Sequence, residues 1–577
     1  MKRLSSPIAK LKSKKYDIVV IGSGYGGAIT ASRMARAGKS VCLLERGKEF
    51  QPGEYPNTFS QSSHETQLNL PGSHVGQKTG LFDINVNKDI NVVKGCGLGG
   101  TSLINANVGM EPGPDIFKNG SWPKALLSDK QNLDEGYKQA NRMLRTTPLP
   151  VTIKRPLPDK AKAMKTGAEK MGVESKWGLT PVYVNFDIDG LNHVGVKQIP
   201  CNGCGDCCSG CNYHAKNTMI MNYLPDTKNH GAEIFTQVNV RFISKDGDNW
   251  NVHYNLLTTG DEEFDAPTDF ISADIVVVAA GTLGSTEILL RSKQEGLLCS
   301  DRLGHKFSGN GDFLAFGYNN DVAGNAVGFG TKKPPFDNPV GTNITSIIDL
   351  RSESPGMVIE EGVVPGALGE AFAAIVSVAA KLEGHRDPDK GLGNWLKKKF
   401  REVVSLFRGP HHGAIHNTLT YLVMTQDDGN GTMKLEDDRL RIDWPNAGKQ
   451  PVFEIVSKKL KTLTDGLGGI YTQDPVWTKA FSKQLVTVHP LGGCVMGEDA
   501  SNGVVNHKGQ VFDGNENESV YVGLYVSDGS IVPCPLSINP SLTISALAER
   551  NCMYMAKDRG WTFNYEFASP DLVKPGN

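Results

Sequence analysis

The sequence of 577 residues lacks several features that would each assign it to a particular class of protein. Its 61 lysines and arginines against 62 aspartates and glutamates leave a net charge of −1, which gives no overall field to attract nucleic acid. No stretch offers the roughly 18 apolar residues of a membrane span. The basic N-terminal tail, residues 1–15 (MKRLSSPIAKLKSKK), has no apolar run of the kind a secretory signal needs. We therefore predict a cytoplasmic protein that does not bind nucleic acid.

Cysteine is scarce outside one short segment. The chain has 11 cysteines, and residues 201–211, CNGCGDCCSGC, contain five of them. In a reducing compartment such a cluster favours metal binding or redox chemistry over a disulfide framework. The remaining composition, 39% hydrophobic and 21% charged, is that of an ordinary globular protein, and the length predicts two or more domains.

A glycine-rich turn near the N-terminus carries the first functional signal. Residues 16–47, YDIVVIGSGYGGAITASRMARAGKSVCLLERG, have the pattern of strand, glycine turn, helix, strand and terminal acid. Gly22, Gly24 and Gly27 are placed for the tight turn, the approach of a pyrophosphate to the backbone, and helix packing. Glu45 ends the second strand, where a carboxylate accepts hydrogen bonds from a ribose. The segment predicts a dinucleotide site and does not distinguish NAD from FAD.

Similar pieces recur along the chain. Residues 94–110 hold a second glycine-rich turn, and residues 273–291 repeat the order of buried strand, glycine turn and helix. Residues 524–550 place a strand, an Asp-Gly turn and a helix that begins after Pro540. Because nucleotide-binding pieces occur at both ends, we predict a discontinuous domain with another domain inserted into it.

Together these segments resemble the glucose-methanol-choline (GMC) oxidoreductases, and within them the cholesterol oxidase-like branch. The motifs are GSGYGG at 22–27, GCGLGGTSLINANV at 95–108, AAGTLGSTEILLRS at 279–292, VHPLGGCVMG at 488–497, and DGS with NPSLTISALAER at 528–550. The resemblance implies an α/β fold in which a discontinuous, Rossmann-like FAD-binding domain holds an inserted α+β substrate domain, an antiparallel sheet covered by helices. The expected FAD-binding domain is 16–110, 225–312 and 482–577, and the expected substrate domain is 111–200 and 313–481.

The resemblance also implies which residues hold FAD. By position, Gly22, Gly24 and Glu45 are similar to pyrophosphate and ribose contacts, Val238 to an adenine contact and Asp528 to a flavin contact. The full expected set is Gly22, Gly24, Gly27, Glu45, Gly99, Gly100, Asn105, Val238, Gly281, Asp528, Gly529 and Pro540. No histidine or cysteine of the second glycine turn clearly marks covalent attachment, although Cys96 leaves that question open. We expect non-covalent FAD.

Two polar residues near the C-terminus are the candidate catalytic pair. Oxidation of an alcohol benefits from a base that takes the hydroxyl proton, and imidazole suits this at neutral pH. The loop VHPLGGC supplies His489, and Asn539 precedes the last helix. By resemblance, His489 orients the hydroxyl and takes its proton, while Asn539 bonds the substrate oxygen or the flavin edge. The alternative interpretation is that His489 is a structural histidine and that Asn539 only caps the helix that follows it.

A carboxylate is expected where the family members that isomerise steroids place one. Residues 357–365, MVIEEGVVP, contain Glu360 and Glu361 in an apolar run. Strand alternation points only one of them inward, and we favour Glu360. If both are ordinary strand charges, oxidation survives without isomerisation.

Residues 366–413 depart from the family pattern and contain an amphipathic helix. Its apolar face is predicted from Leu396, Phe400, Val403, Val404 and Phe407, and its basic sides from Lys397, Lys398, Lys399, Arg401 and Arg408. With Trp395 at its start, such a helix lies on an anionic bilayer as a peripheral contact. The alternative is a lid helix packed on the substrate domain with its lysines solvated.

The cysteine-rich insert, residues 201–224, has the spacing C-x2-C-x2-C-x3-C of bacterial ferredoxins at Cys201, Cys204, Cys207 and Cys211. That pattern predicts a [4Fe-4S] cluster, with Cys208 as an alternative ligand. The other reading is a reduced structural loop. A cluster near FAD favours an electron carrier as acceptor, whereas its absence favours molecular oxygen.

The sequence thus supports an FAD-dependent oxidation of a hydrophobic alcohol. The first hypothesis is a 3-beta-hydroxysteroid, with isomerisation of the 5-ene to the 4-ene. The alternatives are a long-chain fatty or other hydrophobic alcohol without isomerisation, and a lipid-binding flavoprotein without turnover.

Overall fold

The computed structural model describes residues 2–13, 15–258, 268–332, 335, 338–382, 392–478, 481–514 and 517–567. Its first sheet is built on Tyr16–Ile21, which pairs in parallel with Val41–Leu44 on one side and with Asp269–Val278 on the other. All of these strands are rich in buried valine, isoleucine and leucine, as expected for strands covered on both faces. The spatial order is Glu233–Phe235, Val41–Leu44, Tyr16–Ile21, Asp269–Val278, Asn249–Leu256 and Val238–Asp246, with Val520–Val526 on Asp269–Val278 and Gln510–Phe512 on Val520–Val526.

The second sheet is antiparallel. In spatial order its strands are Ile470–Gln473, Phe313–Tyr318, Leu419–Met424, Val358–Gly362, Ser346–Asp349 and Trp177–Leu179. Helices Asp159–Lys170, Gly369–Leu382 and Pro451–Gly466 pack on it. The predicted α/β class with an antiparallel sheet covered by helices is therefore confirmed.

A third sheet lies beside the loop that carries His489. Its strands, in spatial order, are Leu485–Thr487, Ile90–Gly95, Phe82–Asn85, Thr66–Leu70 and Ser73–Val75. Two hairpins stand apart from the sheets, Thr432–Glu436 with Arg439–Asp443 and Gly190–Leu191 with Lys197–Gln198. His489 comes two residues after the edge strand Leu485–Thr487, so the parallel pairing of that strand with Ile90–Gly95 fixes where its loop starts.

The two ends of the chain meet in the core of the first sheet. Helix Tyr25–Arg36 packs against helix Ser541–Lys557, and the buried Arg33 guanidinium bonds the Glu549 carboxylate at 2.6 Å. The other helices are Phe59–His64, Lys124–Leu127, Lys130–Leu144, Tyr223–Asn229, Gly281–Gln294, Leu392–Arg408 and Gly413–His416. Contacts between residues so far apart in the chain explain how one domain forms from separate stretches.

Two segments pack differently from what their place in the chain suggests. Helix Lys130–Leu144 falls in the range expected for the substrate domain, yet it packs against Ser541–Lys557 and shares the core of the first sheet. The basic tail is anchored, because Leu11 is fully buried and Arg3 pairs with Glu54. Across the described ranges, no helix is both long and apolar enough to cross a membrane.

Candidate active site

A cleft of about 420 Å³ opens along the carboxyl ends of the parallel strands of the first sheet. This edge is where open α/β sheets bind their ligands. Of the residues predicted at the cofactor or the chemistry, the cleft is lined by Gly22, Gly24, Glu45, Gly100, Asn105, Val238, Gly281, His489, Asp528, Gly529, Asn539 and Pro540. Gly27 and Gly99 lie behind the surface: a Cβ on Gly27 would be 2.0 Å from the Gly22 carbonyl oxygen, and the Gly99 amide donates to Ser23.

The glycines of the first turn have distinct roles. Gly22 has a φ of +96°, and a Cβ there would lie 2.3 Å from the Ala279 carbonyl oxygen. A Cβ on Gly26 would lie 1.5 Å from the Ser527 carbonyl oxygen, so this glycine lets the helix pack on the last strand. A Cβ on Gly24, in contrast, meets no described atom within 4 Å. Gly24 therefore leaves open the space at the helix N-terminus that a pyrophosphate needs.

Glu45 is held in place at the end of its strand. Its carboxylate accepts hydrogen bonds from the Ser23 hydroxyl at 2.5 Å and from the Gly47 amide at 2.7 Å. The Glu45 backbone carbonyl accepts from the Val238 amide at 2.9 Å, which brings the predicted adenine contact next to the predicted ribose contact. The carboxylate is 7% exposed and faces the cleft beside the turn. These residues fit the adenosine half of a dinucleotide such as FAD.

The contrast between Gly24 and Gly26 gives a test of cofactor placement. Gly24→Ala is expected to fold normally, since its Cβ contacts nothing, and to weaken FAD binding by about tenfold or more, which corresponds to about 1.4 kcal/mol. Gly26→Ala is the matched control and should lower the melting temperature itself, because its Cβ meets backbone. Flavin bound per mole of protein and thermal unfolding are the measurements. Unchanged FAD affinity in Gly24→Ala contradicts the placement.

The other end of the cleft has buried polar atoms that lack partners. The side-chain oxygen of Asn105 and both side-chain polar atoms of Asn107 have no hydrogen-bond partner among the described residues. Both side chains line the cleft, and a polar ligand there would satisfy them. The Asp528 carboxylate, by contrast, accepts hydrogen bonds from the Gly281 amide at 2.9 Å and from the Ser530 amide at 2.9 Å. Asp528 therefore shapes this end by fixing the loops around it.

The candidate catalytic residues come together at this end. The Asn539 amide nitrogen lies 3.4 Å from the His489 Nε2 and 3.4 Å from a carboxylate oxygen of Glu360. Asn539 is 5% exposed, and its side-chain oxygen has no partner within the described part of the chain. Three residues from distant parts of the sequence thus surround one small region beside the cleft.

Asp312 fixes the His489 ring. The His489 Nδ1 lies 2.8 Å from an Asp312 carboxylate oxygen, and the other oxygen accepts from the Thr487 hydroxyl at 2.8 Å and the Val488 amide at 2.9 Å. A carboxylate only accepts hydrogen bonds, so Nδ1 carries the proton and Nε2 presents a lone pair toward Asn539. The arrangement leaves His489 ready to accept a proton from the cleft.

The two glutamates have separate environments. Both are fully buried, and they point to opposite faces of strand Val358–Gly362. Glu361 pairs with the buried Lys160 ammonium at 3.0 Å and accepts from the Ser346 amide at 2.9 Å. Glu360 faces Asn539, and burial, with repulsion from Glu361 and Asp312, raises its pKa well above the ordinary carboxyl value. Glu360 is therefore the glutamate next to the candidate chemistry.

The cysteine-rich segment does not form the predicted cluster site. Cys201, Cys204, Cys207 and Cys211 line a cavity of only about 20 Å³, which is room for about one water and not for four irons and four sulfides. Cys208 does not line it. In the described ranges no group of three or more histidine, cysteine, aspartate or glutamate side chains is arranged to hold a metal ion. Burial also raises the pKa of Cys201 to about 12, which favours the thiol. The residues do not fit a [4Fe-4S] cluster.

A buried lysine, Lys216, connects this segment to the neighbouring turn. The buried Lys216 ammonium donates to the carbonyl oxygens of Leu103, Asn105 and Cys207 at 3.0, 2.8 and 3.0 Å. It joins the cysteine loop to the turn that carries Asn105, one of the residues predicted to bind FAD. Neither Lys216 nor Asp312 was found from the sequence. Asp312 lies 177 positions before His489, and no local spacing relates the two.

Comparisons with known proteins identify the family of the chain. Family models described as GMC oxidoreductase match residues 16–307 and 447–548. A cholesterol oxidase of Mycobacterium tuberculosis is 28% identical over 93% of this chain and 90% of its own, and one of Acinetobacter baumannii is 26% identical over 94% of both. A long-chain-alcohol oxidase of Arabidopsis thaliana is 24% identical over 92% of this chain and 67% of its own.

Solved structures show the same fold. A pyridoxine 4-oxidase from Mesorbium loti superimposes with a TM-score of 0.58 at 16% identity, over 93% of this chain and 98% of its own. A fungal aryl-alcohol oxidase gives 0.57 at 13% identity, over 95% of this chain and 100% of its own. The resemblance read from the five motifs is confirmed, and with it FAD as the cofactor of the family. The chain belongs to the GMC oxidoreductase family.

Proposed function

We propose that the protein oxidises a hydrophobic alcohol at the group formed by His489, Asn539 and Asp312. The observation that carries the proposal is the His489 ring, held by Asp312 with its Nε2 lone pair beside Asn539 at the end of the cleft. His489 Nε2 accepts the hydroxyl proton of the alcohol, and the Asn539 amide donates to the oxygen as negative charge develops on it. Gly24, Glu45 and Val238 would hold FAD, which would supply a hydride acceptor for the carbinol carbon. The product is the carbonyl compound.

The substrate we favour is a 3-beta-hydroxysteroid. Two bacterial cholesterol oxidases are 28% and 26% identical to this chain, which supports this choice. A second support is Glu360, a buried carboxylate 3.4 Å from the Asn539 amide. After oxidation such a carboxylate can remove a proton next to the new carbonyl and return it across the double bond, which moves the 5-ene to the 4-ene.

The alternative substrate is a long-chain alcohol, favoured by the similarity to long-chain-alcohol oxidases. In that case Glu360 shapes the site and no isomerisation occurs. A flavoprotein that binds lipid without turnover is the third alternative, and the ordered His489–Asp312 pair argues against it. Because the relatives are named oxidases, we propose molecular oxygen as acceptor, with an electron carrier as the alternative.

A substrate panel separates these alternatives. Flavin absorbance is followed without oxygen as a sterol, a long-chain primary alcohol and a short alcohol are added. Bleaching by the sterol supports the first proposal, bleaching by the linear alcohol alone supports the second, and no bleaching by any alcohol contradicts both. Hydrogen peroxide formed in air then tests oxygen as the acceptor.

Glu360→Gln is expected to lower the rate of isomerisation about 100-fold or more while oxidation continues, because the amide cannot accept the proton. For the same reason, the ratio of isomerised to unisomerised ketone in the unmutated enzyme should increase with pH. Burial raises the pKa of Glu360, so the carboxylate form that acts as base is gained only as the pH rises through that raised value. Product analysis against pH is the measurement.

Glu361→Gln is the matched control for this prediction. It leaves the Lys160 ammonium buried without its carboxylate, so it should lower the free energy of unfolding by about 3–5 kcal/mol. Glu360 remains available as the base and loses the repulsion from Glu361, so the share of isomerised ketone should not fall. Equal loss of isomerisation in both variants contradicts a specific role for Glu360.

A further inference from the structure

Helix Leu392–Arg408 contacts the rest of the chain through its polar side. The Lys398 side chain is 3% exposed, and its ammonium donates to the Gly468 carbonyl oxygen at 2.6 Å. Three positions on, Arg401 donates to the Asn320 carbonyl oxygen at 2.8 Å. Ser405 donates to the His412 carbonyl oxygen at 2.5 Å. Residues at positions 398, 401 and 405 share one helix face, so this polar face is the one that contacts the rest of the chain.

The opposite face is apolar and open to solvent. The exposed fractions are 54% for Leu396, 69% for Phe400, 51% for Val403, 80% for Leu406 and 81% for Phe407. A surface helix of a globular protein normally turns such a stripe toward the core. Contiguous exposed apolar patches of this kind mark a surface that another apolar phase covers. The helix packs on the rest of the chain, as the lid alternative expects, but it does so through its polar face, with Lys398 buried and the apolar face exposed.

The charges along the edges of this apolar face are basic. At 100° per residue, Lys399 projects between Leu406 and Val403 on one side of the stripe, and Lys397 and Arg408 lie about 60° and 80° beyond Phe400 on the other side. All three are exposed. The one acidic residue of the helix, Glu402, is bonded to Lys399 at 2.9 Å. Long basic side chains at the edges of an apolar stripe can extend to anionic headgroups while the stripe enters the acyl region.

This charge distribution distinguishes a bilayer from a second copy of the chain. Two copies meeting through this face would place Lys397, Lys399 and Arg408 of each against those of the other, with one already bonded glutamate per helix to offset them. Like charges brought together in this way oppose association. An anionic bilayer instead meets every edge charge with an opposite one.

We propose that this apolar face, formed by Leu396, Phe400, Val403, Leu406 and Phe407, docks the protein on an anionic lipid bilayer. The helix lies in the plane of the interface over a length of about 25 Å. The inference does not depend on which alcohol the enzyme oxidises. The side chain of Trp395, predicted as an anchor, is outside the part of the chain that the structure describes, as are residues 383–391.

The test is flotation of the full-length FAD-loaded protein with vesicles of phosphatidylcholine alone and with about 30 mol% phosphatidylglycerol. The unmutated protein should bind the anionic vesicles at low salt, and at about 0.5 M salt binding should fall several-fold as the edge charges are screened. Phe400→Ser with Phe407→Ser should reduce binding at least about tenfold. Phe270→Ser is the matched control: Phe270 is 55% exposed on a strand of the first sheet, and its removal should change binding less than about twofold.

Neutralising the basic residues beside the apolar face separates the electrostatic contribution to membrane binding from the apolar one. Lys397→Gln, Lys399→Gln and Arg408→Gln together should remove the preference for anionic vesicles and its salt dependence. Flavin content and thermal unfolding check that each variant folds. No binding of the unmutated protein to anionic vesicles at low salt overturns the proposal, and so does equal binding of the phenylalanine variant. A dimer in sedimentation velocity that the phenylalanine variant loses, without vesicle binding, assigns the face to protein association instead.

Discussion

His489→Ala is expected to retain FAD and to slow reduction of the flavin by alcohol about 100- to 10,000-fold. The expected loss follows from the place of His489 Nε2, the lone pair that lies beside Asn539 and can take the hydroxyl proton. FAD should stay bound because the glycine turn and Glu45, which fit the dinucleotide, are unchanged in this variant. The measurement is anaerobic stopped-flow absorbance of the flavin with the best substrate of the panel.

His305→Ala is the control for that variant, because His305 is a surface histidine. Its reduction rate should stay within about twofold of the unmutated enzyme. If reduction in His489→Ala proceeds at the unmutated rate, His489 is not the base. If both variants lose FAD, the loss of activity reports cofactor binding and not proton transfer.

Asp312→Asn is expected to lower the rate of flavin reduction about 10- to 1,000-fold, although Asp312 contacts neither the substrate region nor the cofactor cleft directly. An amide nitrogen at this position can donate to His489 Nδ1, which stabilises the tautomer with its proton on Nε2 and removes the lone pair. Asp312 is therefore a positioning residue. The maximal rate of flavin reduction should fall while the alcohol concentration that gives half of that rate changes less than about threefold, because the base is lost and the cleft that binds the alcohol is not altered.

Asp474→Asn provides the matched comparison. Asp474 is also a buried carboxylate, bonded to the Val476 amide at 3.0 Å, and burial raises its pKa to about 6. Its substitution changes a buried carboxylate that does not bond His489, so the melting temperature is expected to change and the maximal rate of flavin reduction is not. An equal loss of the maximal rate in Asp312→Asn and Asp474→Asn contradicts the positioning role.

The glutamate pair shows how far local sequence patterns reach. Strand alternation predicts that Glu360 and Glu361 point to opposite faces, and both faces of this strand turn out to be buried. The pattern alone favours Glu360 only weakly, because the partner of Glu361, Lys160, comes from a helix 201 positions away. Only the packing of that helix on the second sheet leaves Glu360 as the one beside Asn539.

The cysteine run shows a limit of spacing as a signal. The ferredoxin spacing constrains which thiols are close in sequence, but a cluster also needs a cavity of the right size. Here Lys216 ties the loop to Leu103 and Asn105, and the thiols surround about 20 Å³. A lysine five residues after the last cysteine carries no sequence signal that would have indicated this.

For the amphipathic helix, the sequence predicts the element but not its orientation. Its period of apolar and basic residues predicts the helix correctly, and the structure places it at Leu392–Arg408. Periodicity does not say which face meets the protein. That is decided by acceptors on the neighbouring elements, the carbonyl oxygens of Gly468 and Asn320, which bind Lys398 and Arg401.

By itself the sequence determined the nucleotide turn and the family and predicted His489 and Asn539 as the catalytic pair, because each of these was read from a motif of residues close together in the chain. The tertiary structure alone decided that Asp312 holds His489, that Glu360 joins Asn539, and that an apolar helix face points to solvent. These contacts join residues far apart in the chain. They depend on how the sheets and helices pack, a property that no local pattern of residues contains.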